Sequence, residues 1–335
     1  MKTHLFSSPP DDQTLIFCAS LLREGKLVVF PTETVYGLGT NAFLEKAIQT
    51  IFEAKGRPQD NPLIVHIPDI SLLPVVAKKP SPEVERLFSL FSPGPLTVIC
   101  ERAPSIPPIV SAGLPTVGIR IPAHPVAQKL LNLAGVPVAA PSANLSGRPS
   151  PTTFEMAISD MKNRVDAIID GGPCEHGLES TVVMVREKKV IILRPGAITE
   201  EMLREKGFDV TLTEDISHEK PLSPGMKYTH YKPRAEVYLY NDRDEKSLES
   251  LCHRKKIAIV GISPPIGPWE RVIFSDVASY ARGLFATFAH LEKKGIEVIV
   301  LQAVEEKGIG RALMNRMRKA SGNRWIGAKD ETFSE

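Results

Sequence analysis

A two-domain α/β protein is what the patterning of this chain predicts, and three observations carry the prediction. Apolar runs of strand length alternate with segments whose apolar residues recur at helical spacing. That alternation stops between Thr213 and Arg234, in the polar stretch TEDISHEKPLSPGMKYTHYKPR. The length, 335 residues, suits two domains of roughly 100–200 residues each.

The elements follow in order. After a polar tail, Leu15, Ile16, Ala19 and Leu22 recur at helical spacing, and Gly25 stands where a left-handed cap would end that helix. Leu27 to Phe30 reads as a buried strand closed by Pro31, and TETVYGLGTNA as a loop. A second helix carries the stripe Leu44, Ile48, Ile51 and Phe52, and the turn KGRPQDNP leads from it into the strand LIVHI. Further strands are predicted at Leu96 to Cys100, Val117 to Ile121, Val136 to Ala140 and Ala167 to Asp170. Helices start at Pro82 and Pro125, where proline suits a first turn, and near Thr153. TVVMVREKKVIILR reads as a hairpin turning at REKK. Beyond the polar stretch come a run from Glu236 to Tyr240, a helix around Leu248 to Cys252 and the strand IAIVGI. A long helix from Asp276 to about Lys293, the strand IEVIVLQ and a helix near Arg311 to Ala320 complete the pattern of a small doubly wound α/β domain.

Composition narrows the function. With 42% hydrophobic and 24% charged residues the chain is an ordinary globular one, and its 29 prolines, nearly twice the usual share of about 5%, predict many fixed turns. A net charge of +2 gives no general case for nucleic acid, so any phosphate partner must meet a local cluster. Cys18, Cys100, Cys174 and Cys252 form no CxxC pair, which argues against a zinc site or a disulfide framework and fits a reducing cytosol. No apolar run approaches the roughly 18–20 residues of a membrane helix, and MKTHLFSSPPDDQ lacks a signal-peptide core. The expectation is a cytoplasmic protein without a membrane partner. Walker, HExxH and GxSxG patterns are absent from the sequence, leaving P-loop hydrolysis, zinc proteolysis and α/β-hydrolase chemistry without support.

Four groups could carry chemistry. GLGTNA, Gly37 to Ala42, matches the dinucleotide fingerprint, but PTETVY separates it from the strand end and a basic turn follows its helix. Lys55 and Arg57 flank Gly56 in a turn that could aim both cations one way, or merely cap a helix. PSANLSGRPSP crowds Ser142, Asn144, Ser146 and Ser150 around Gly147, suiting phosphate oxygens or a ribose, or equally a helix-capping loop. Arg120 in VGIRIP and Arg194 in VIILRPG interrupt apolar strands, a costly placement unless each is paired or faces a cleft. His66 in LIVHI fits a cleft or a satisfied core histidine.

Taken in order, PTETVYGLG, KGRP, NPL with His66, GIRIP, PSAN, GLESTVV and LRPG closely resemble the YrdC/Sua5 family over about residues 13 to 205. SPGMKYTHYKP and GIGRALMNRMRKAS further resemble the longer Sua5 branch. The resemblance implies an α/β fold with an N-terminal YrdC-like twisted, open, mixed sheet around a large concave cleft over residues 1–212. A linker, 213–234, would close over the active site, and residues 235–335 would form a smaller C-terminal Rossmann-like doubly wound α/β domain. In that setting GLGTNA is no dinucleotide loop; the stretch from Tyr36 to Gly39 walls the cleft.

The resemblance implies a threonylcarbamoyl-AMP synthase. L-threonine, bicarbonate or CO2, and ATP would give threonylcarbamoyl-AMP and pyrophosphate. The product feeds N6-threonylcarbamoyladenosine (t6A) at position 37 of ANN-decoding tRNAs, through a Kae1/TsaD-type transferase. Carried over motif by motif, it sets L-threonine against Thr34, His66, Arg120, Ala140 and Ser180. It sets ATP against Lys55, Arg57, Asn61, Thr116, Ser142, Asn144, Ser150, Arg194 and Tyr231, with Lys55, Arg57 and Arg120 as the catalytic cations. No metal ligand of the chain is implied; Mg2+ would arrive on the ATP phosphates. The chemistry asks for these residue types, because carbamate, triphosphate and carboxylate concentrate negative charge that preorganised cations and N–H donors must meet.

Two other readings compete. A YrdC-like concavity could bind duplex RNA or tRNA without catalysis, and Lys307, Arg311, Arg316, Arg318 and Lys319 gather near the C-terminus with no acid between them, as a tRNA contact or as a solvated helix face over Leu313, Met314 and Met317. A carbamoyl-transfer role in hydrogenase maturation lacks its acylphosphatase-like and zinc-finger segments here.

Overall fold

The computed structural model describes residues 2–212, 231–241, 248 and 256–326. Contacts divide the chain into two compact units, Met1–Ser146 with Ser150–Tyr228, and Gly147–Pro149 with Thr229–Glu335. The first unit holds strands β1 (His4–Phe6), β2 (Val28–Phe30), β3 (Gly37–Asn41), β4 (Ile64–His66), β5 (Leu96–Glu101), β6 (Thr116–Arg120), β7 (Val138–Ala139), β8 (Ala167–Ile169), β9 (Thr181–Arg186), β10 (Lys189–Arg194) and β11 (Val210–Leu212). They form one sheet in the order β1-β8-β2-β3-β7-β4-β6-β5-β9-β10-β11. Pairing is mixed: β4 and β6 are parallel, for example, while β7 runs antiparallel to β4 and β5 to β6.

Helices cover both faces of this sheet. The helix α1 (Asp12–Arg23) starts where the Asp11 carboxylate accepts from the Thr14 N–H at 2.8 Å, and it buries Leu15, Cys18, Ala19 and Leu22. It packs beside the later helix Pro125–Ala134, and both lie over Val28, Phe30, Val138 and Ala140. The other face carries the larger core, in which α2 (Glu45–Lys55) contributes Ile48, Ile51 and Phe52 and the helix Pro82–Phe91 contributes Val84, Leu87 and Phe88. Burying such side chains contributes roughly 1.5–3 kcal/mol each.

The second unit carries a wholly parallel sheet of β12 (Glu236–Tyr240), β13 (Ile257–Gly261), β14 (Glu270–Ile273) and β15 (Val298–Gln302), in the order β12-β15-β13-β14. Its helices Val277–Lys293 and Ile309–Ser321 pack on one another. The expected helix around Leu248 to Cys252 lies outside the described residues except for Leu248, which is helical and buried. Of the expected linker, residues 213–230 lie outside them too.

Three expectations are corrected. Gly37–Asn41 is not a loop but a strand antiparallel to β2. Glycine signals a turn in sequence, yet here it serves close approach: a Cβ on Gly39 would lie 2.7 Å from both the Phe30 ring and Val138. The polar tail contains an edge strand, β1, paired with the distant β8, His4 opposite Ala167, a partner no local pattern can reveal. Arg316 is not on a solvated helix face. It is fully buried, while Arg318 pairs with Glu306, one residue ahead of the acid-free run.

Candidate active site

A continuous row of paired residues crosses five neighbouring strands of the first unit. His66 of β4 pairs with Arg120 of β6, Arg120 with Thr97 of β5, Thr97 with Val182 of β9, and Val182 with Arg194 of β10. Directly paired residues project from one face of a sheet. His66, Arg120, Thr97 and Arg194 therefore stand side by side, while the alternate residues Val65, Ile119, Val98 and Val183 enter the larger core on the other face. A register slip between Ile192 and Arg194 gives Arg194 its place in the row.

Side-chain hydrogen bonds join Thr97 and Arg194 of this row through Ser180, and tie Arg120 to Glu33 and Thr34. Arg194 donates to the Ser180 carbonyl and Oγ, both at 3.1 Å, and the Ser180 and Thr97 hydroxyls lie 2.8 Å apart. Arg120 is 4% exposed. Its guanidinium meets the Glu33 carboxylate at 2.7 Å, the Thr34 hydroxyl at 2.8 Å and the Gly94 carbonyl at 3.3 Å. Burial by itself would raise the Glu33 carboxyl; the charge and the hydrogen bond of Arg120 outweigh it and hold the group ionised below its ordinary range. The second Glu33 oxygen is buried without a hydrogen-bond partner. Glu33, Thr97 and Glu179 escaped the sequence reading. The signal for Glu33 was available, since a buried arginine demands a counter-ion and an acid adjoins Thr34.

Burial, reinforced by the Arg120 charge and opposed by Glu33, pushes the His66 imidazole down to about 3. His66 is thus neutral at physiological pH. Between the ordinary value of 6.5 and about 3, the unfolded chain holds a proton that the folded one refuses, so stability falls as pH falls, by up to about 1.4 kcal/mol per pH unit. Above 4.5, the ordinary glutamate value, Glu33 contributes nothing to that slope. His66→Gln is expected to flatten the dependence of denaturant-unfolding free energy on pH between roughly 5 and 6.5.

A second cation group lies farther along the same strands. Thr116, Gly118 and Arg120 alternate onto one face of β6, so Thr116 lies about 13 Å from Arg120 at ~3.3 Å per residue. The register Ile64 to Gly118, continued by two residues, brings Thr116 level with Pro62. The Pro62 carbonyl accepts from Arg57 at 2.9 Å, and the Asn61 carbonyl accepts from Arg57 at 3.2 Å. Asn61 is 1% exposed, and neither atom of its side-chain amide has a hydrogen-bond partner. Such an orphaned amide is what a ligand completes.

Lys55 ends α2, and the left-handed Gly56 (φ 60°) turns the chain towards Arg57. The Lys55 ammonium donates to the Asn144 carbonyl at 2.5 Å and to that of Ser142. Burial first, then the Arg57 charge, push it well below the ordinary lysine value, against the opposing pull of Asp160. The loop it holds is also stitched to β3, through Leu38 N–H to the Pro141 carbonyl and Ala143 N–H to the Tyr36 carbonyl, each 2.8 Å. Ser142 Oγ donates to the Asn144 side chain at 2.5 Å.

Arg120 and Thr34 thus share one hydrogen-bonded group with Glu33, Ser180 and Arg194 a second with Thr97, Lys55, Ser142 and Asn144 a third, and Arg57 and Asn61 a fourth. His66 stands beside Arg120 through the strand pairing, its Nδ1 buried without a hydrogen-bond partner, and Thr116 lies farther along the strand of Arg120. The Ala140 N–H donates to the Ile64 carbonyl at 2.9 Å, beside the strand of His66. Ser150 donates to Glu179, the neighbour of Ser180. Tyr231 belongs to the second unit, where its ring stacks on Phe285 at 5.3 Å. Among the described residues no group of three or more His, Cys, Asp and Glu could hold a metal ion, and no helix is long and apolar enough to cross a membrane.

Residues 20–196 match the Sua5/YciO/YrdC family, described as "Telomere recombination", and residues 198–322 match "Threonylcarbamoyl-AMP synthase, C-terminal domain". A threonylcarbamoyl-AMP synthase of Pyrococcus abyssi is 43% identical over 92% of this chain and 94% of its own, and one of Bacillus subtilis 39% identical over 94% and 95%. The crystal structure of P. abyssi Sua5 complexed with L-threonine superposes with a TM-score of 0.91 at 40% identity, over 97% of this chain and 99% of that one. The chain therefore belongs to the Sua5/YciO/YrdC family and carries the Sua5 C-terminal domain.

Proposed function

We propose that this chain is an L-threonylcarbamoyladenylate synthase, condensing L-threonine, bicarbonate or CO2, and ATP to threonylcarbamoyl-AMP and pyrophosphate. The observation that carries the reading is the set of four buried cations of the first unit, Lys55, Arg57, Arg120 and Arg194, each at most 9% exposed, two in the strand row and two at and just after the end of α2. Cations so buried serve a small, highly charged ligand that enters the fold; the phosphates of duplex RNA need accessible ones.

In this assignment the Arg120 end takes L-threonine. Arg120 receives its carboxylate, and Thr34, His66, Ala140 and Ser180 line it. A neutral His66 accepts or donates one hydrogen bond without adding charge beside Arg120. Lys55, Arg57, Asn61, Thr116, Ser142, Asn144, Ser150, Arg194 and Tyr231 take ATP. The neutral threonine amine adds to CO2, forming a C–N bond as one C=O π pair moves onto oxygen and one amine proton leaves to solvent. The resulting carbamate oxygen attacks the α-phosphorus in line, one P–O bond forming as the bond to the leaving pyrophosphate breaks. Lys55 and Arg57 neutralise the charge that accumulates there, so positioning and electrostatics supply the catalysis without a covalent enzyme adduct. The buried acids Glu33 and Glu179 already accept from Arg120 and Ser150, which favours Mg2+ carried on the triphosphate over a metal held by the chain. The adenylate then serves t6A formation through a Kae1/TsaD-type transferase.

Pyrophosphate release from Mg-ATP is expected to require both L-threonine and bicarbonate. Release that proceeds equally without threonine would sink the assignment. Tyr231→Ala is expected to weaken ATP binding and lower adenylate yield; unchanged values in both assays would remove Tyr231 from the site.

A further inference from the structure

Asp160 stands where its own helix gives no reason for an acid. It lies in the last turn of the helix Phe154–Met161, where a carboxylate faces the negative end of the helix dipole. It is also buried, 7% exposed, a costly place for a carboxylate unless hydrogen bonds meet it. Its Oδ2 accepts from the Leu145 N–H at 3.0 Å. A backbone N–H facing a carboxylate makes one of the stronger hydrogen bonds open to a loop.

That bond completes a frame around residues 142–146. The Lys55 ammonium donates to the Ser142 and Asn144 carbonyls. The Lys55 carbonyl accepts from the Ser146 N–H at 2.9 Å, and the Tyr36 carbonyl accepts from the Ala143 N–H at 2.8 Å. The end of α2 and the start of β3 thus hold the loop from two sides, and Asp160 holds it from a third. Within the frame, the Asn144 amide donates to the Leu145 carbonyl at 2.8 Å, and its oxygen accepts from Ser142 Oγ at 2.5 Å. A displaced Leu145 therefore moves Asn144 and, through it, Ser142. All of these residues belong to the first unit.

We propose that Asp160 is a positioning residue for the nucleotide site, fixing the Leu145 N–H so that Ser142 and Asn144 keep their places, a role that rests on the assignment of this loop to ATP. A loop held in place loses less conformational freedom on binding, which strengthens affinity without a new contact to the ligand. Threonine, assigned to the Arg120 end, makes no use of this bond.

The test uses the full chain and three readouts: steady-state pyrophosphate release, calorimetric binding of ATP, and hydrogen exchange at the Leu145 amide. Asp160→Ala removes the acceptor and is expected to raise the Kd and KM for ATP about tenfold, with the KM for threonine unchanged. Asp160→Asn keeps an oxygen for the Leu145 N–H and is expected to recover most of that loss. In the free wild-type chain the Leu145 amide should exchange slowly, and in Asp160→Ala quickly. The role is overturned if Asp160→Ala leaves ATP affinity unchanged, if the KM values for ATP and threonine rise together, or if Asp160→Asn is as weak as Asp160→Ala. Fast exchange at Leu145 in the wild type also overturns it, a result that stands even where Asp160→Ala fails to fold. Should the wild-type chain not bind ATP, the loop assignment falls and takes this role with it. Wild-type binding with unaffected variants sinks the positioning role alone.

Discussion

Arg120→Ala is expected to lose both stability and threonine use. In the folded chain its guanidinium is the partner of the buried Glu33 carboxylate at 2.7 Å. Removing one member of a buried pair typically costs about 3–5 kcal/mol, because the other charge stays behind without compensation. The loss of a charged anchor for the threonine carboxylate adds about 2–5 kcal/mol to the binding side, a rise in KM of roughly 30-fold or more. The two effects separate in a double variant. Arg120→Met with Glu33→Gln leaves no buried charge at this position and is expected to regain most of the unfolding free energy in a urea titration. Threonine-dependent pyrophosphate release should stay lost. Recovery of both would make Arg120 a structural residue only.

Lys55→Met is expected to show the reverse balance, with a large loss of activity and a small change in stability. The methionine is close in volume and removes a buried ammonium whose charge is disfavoured by its surroundings. Against that gain stand the Ser142 and Asn144 carbonyls, which lose a donor at about 1–3 kcal/mol for each group left unpaired. The net shift in unfolding free energy should stay within about 2 kcal/mol. On the proposed assignment of Lys55 to ATP, turnover is expected to fall by roughly 100-fold or more, as a charge that would meet the phosphate oxygens is lost.

Where the sequence carried a clear period, the fold was legible in it. The stripe Leu15, Ile16, Ala19 and Leu22 became a buried helix face except for Ile16, and the stripe Leu44, Ile48, Ile51 and Phe52 one except for Leu44, both exposed, and TVVMVREKKVIILR became the antiparallel pair β9 and β10. What failed was structure fixed by distant partners. β1 depends on β8, β11 on β10, and the strand nature of Gly37–Asn41 on Phe30 packing where side chains are missing. Site residues were nameable because short motifs preserve residue type and spacing. Their arrangement was not, since the row from His66 to Arg194 exists only through the pairing of strands far apart in the chain. Glu33 marks the boundary well: its type and position were visible, but its role required seeing which arginine it meets.

Mass analysis of the adenylate formed from ATP, L-threonine and 13C-labelled bicarbonate tests the central claim most directly. If the sheet face joins carbamate to the α-phosphate, the product is threonylcarbamoyl-AMP and carries the label, and none forms when bicarbonate is withheld. An unlabelled threonine adenylate, or pyrophosphate release that ignores bicarbonate, would contradict it.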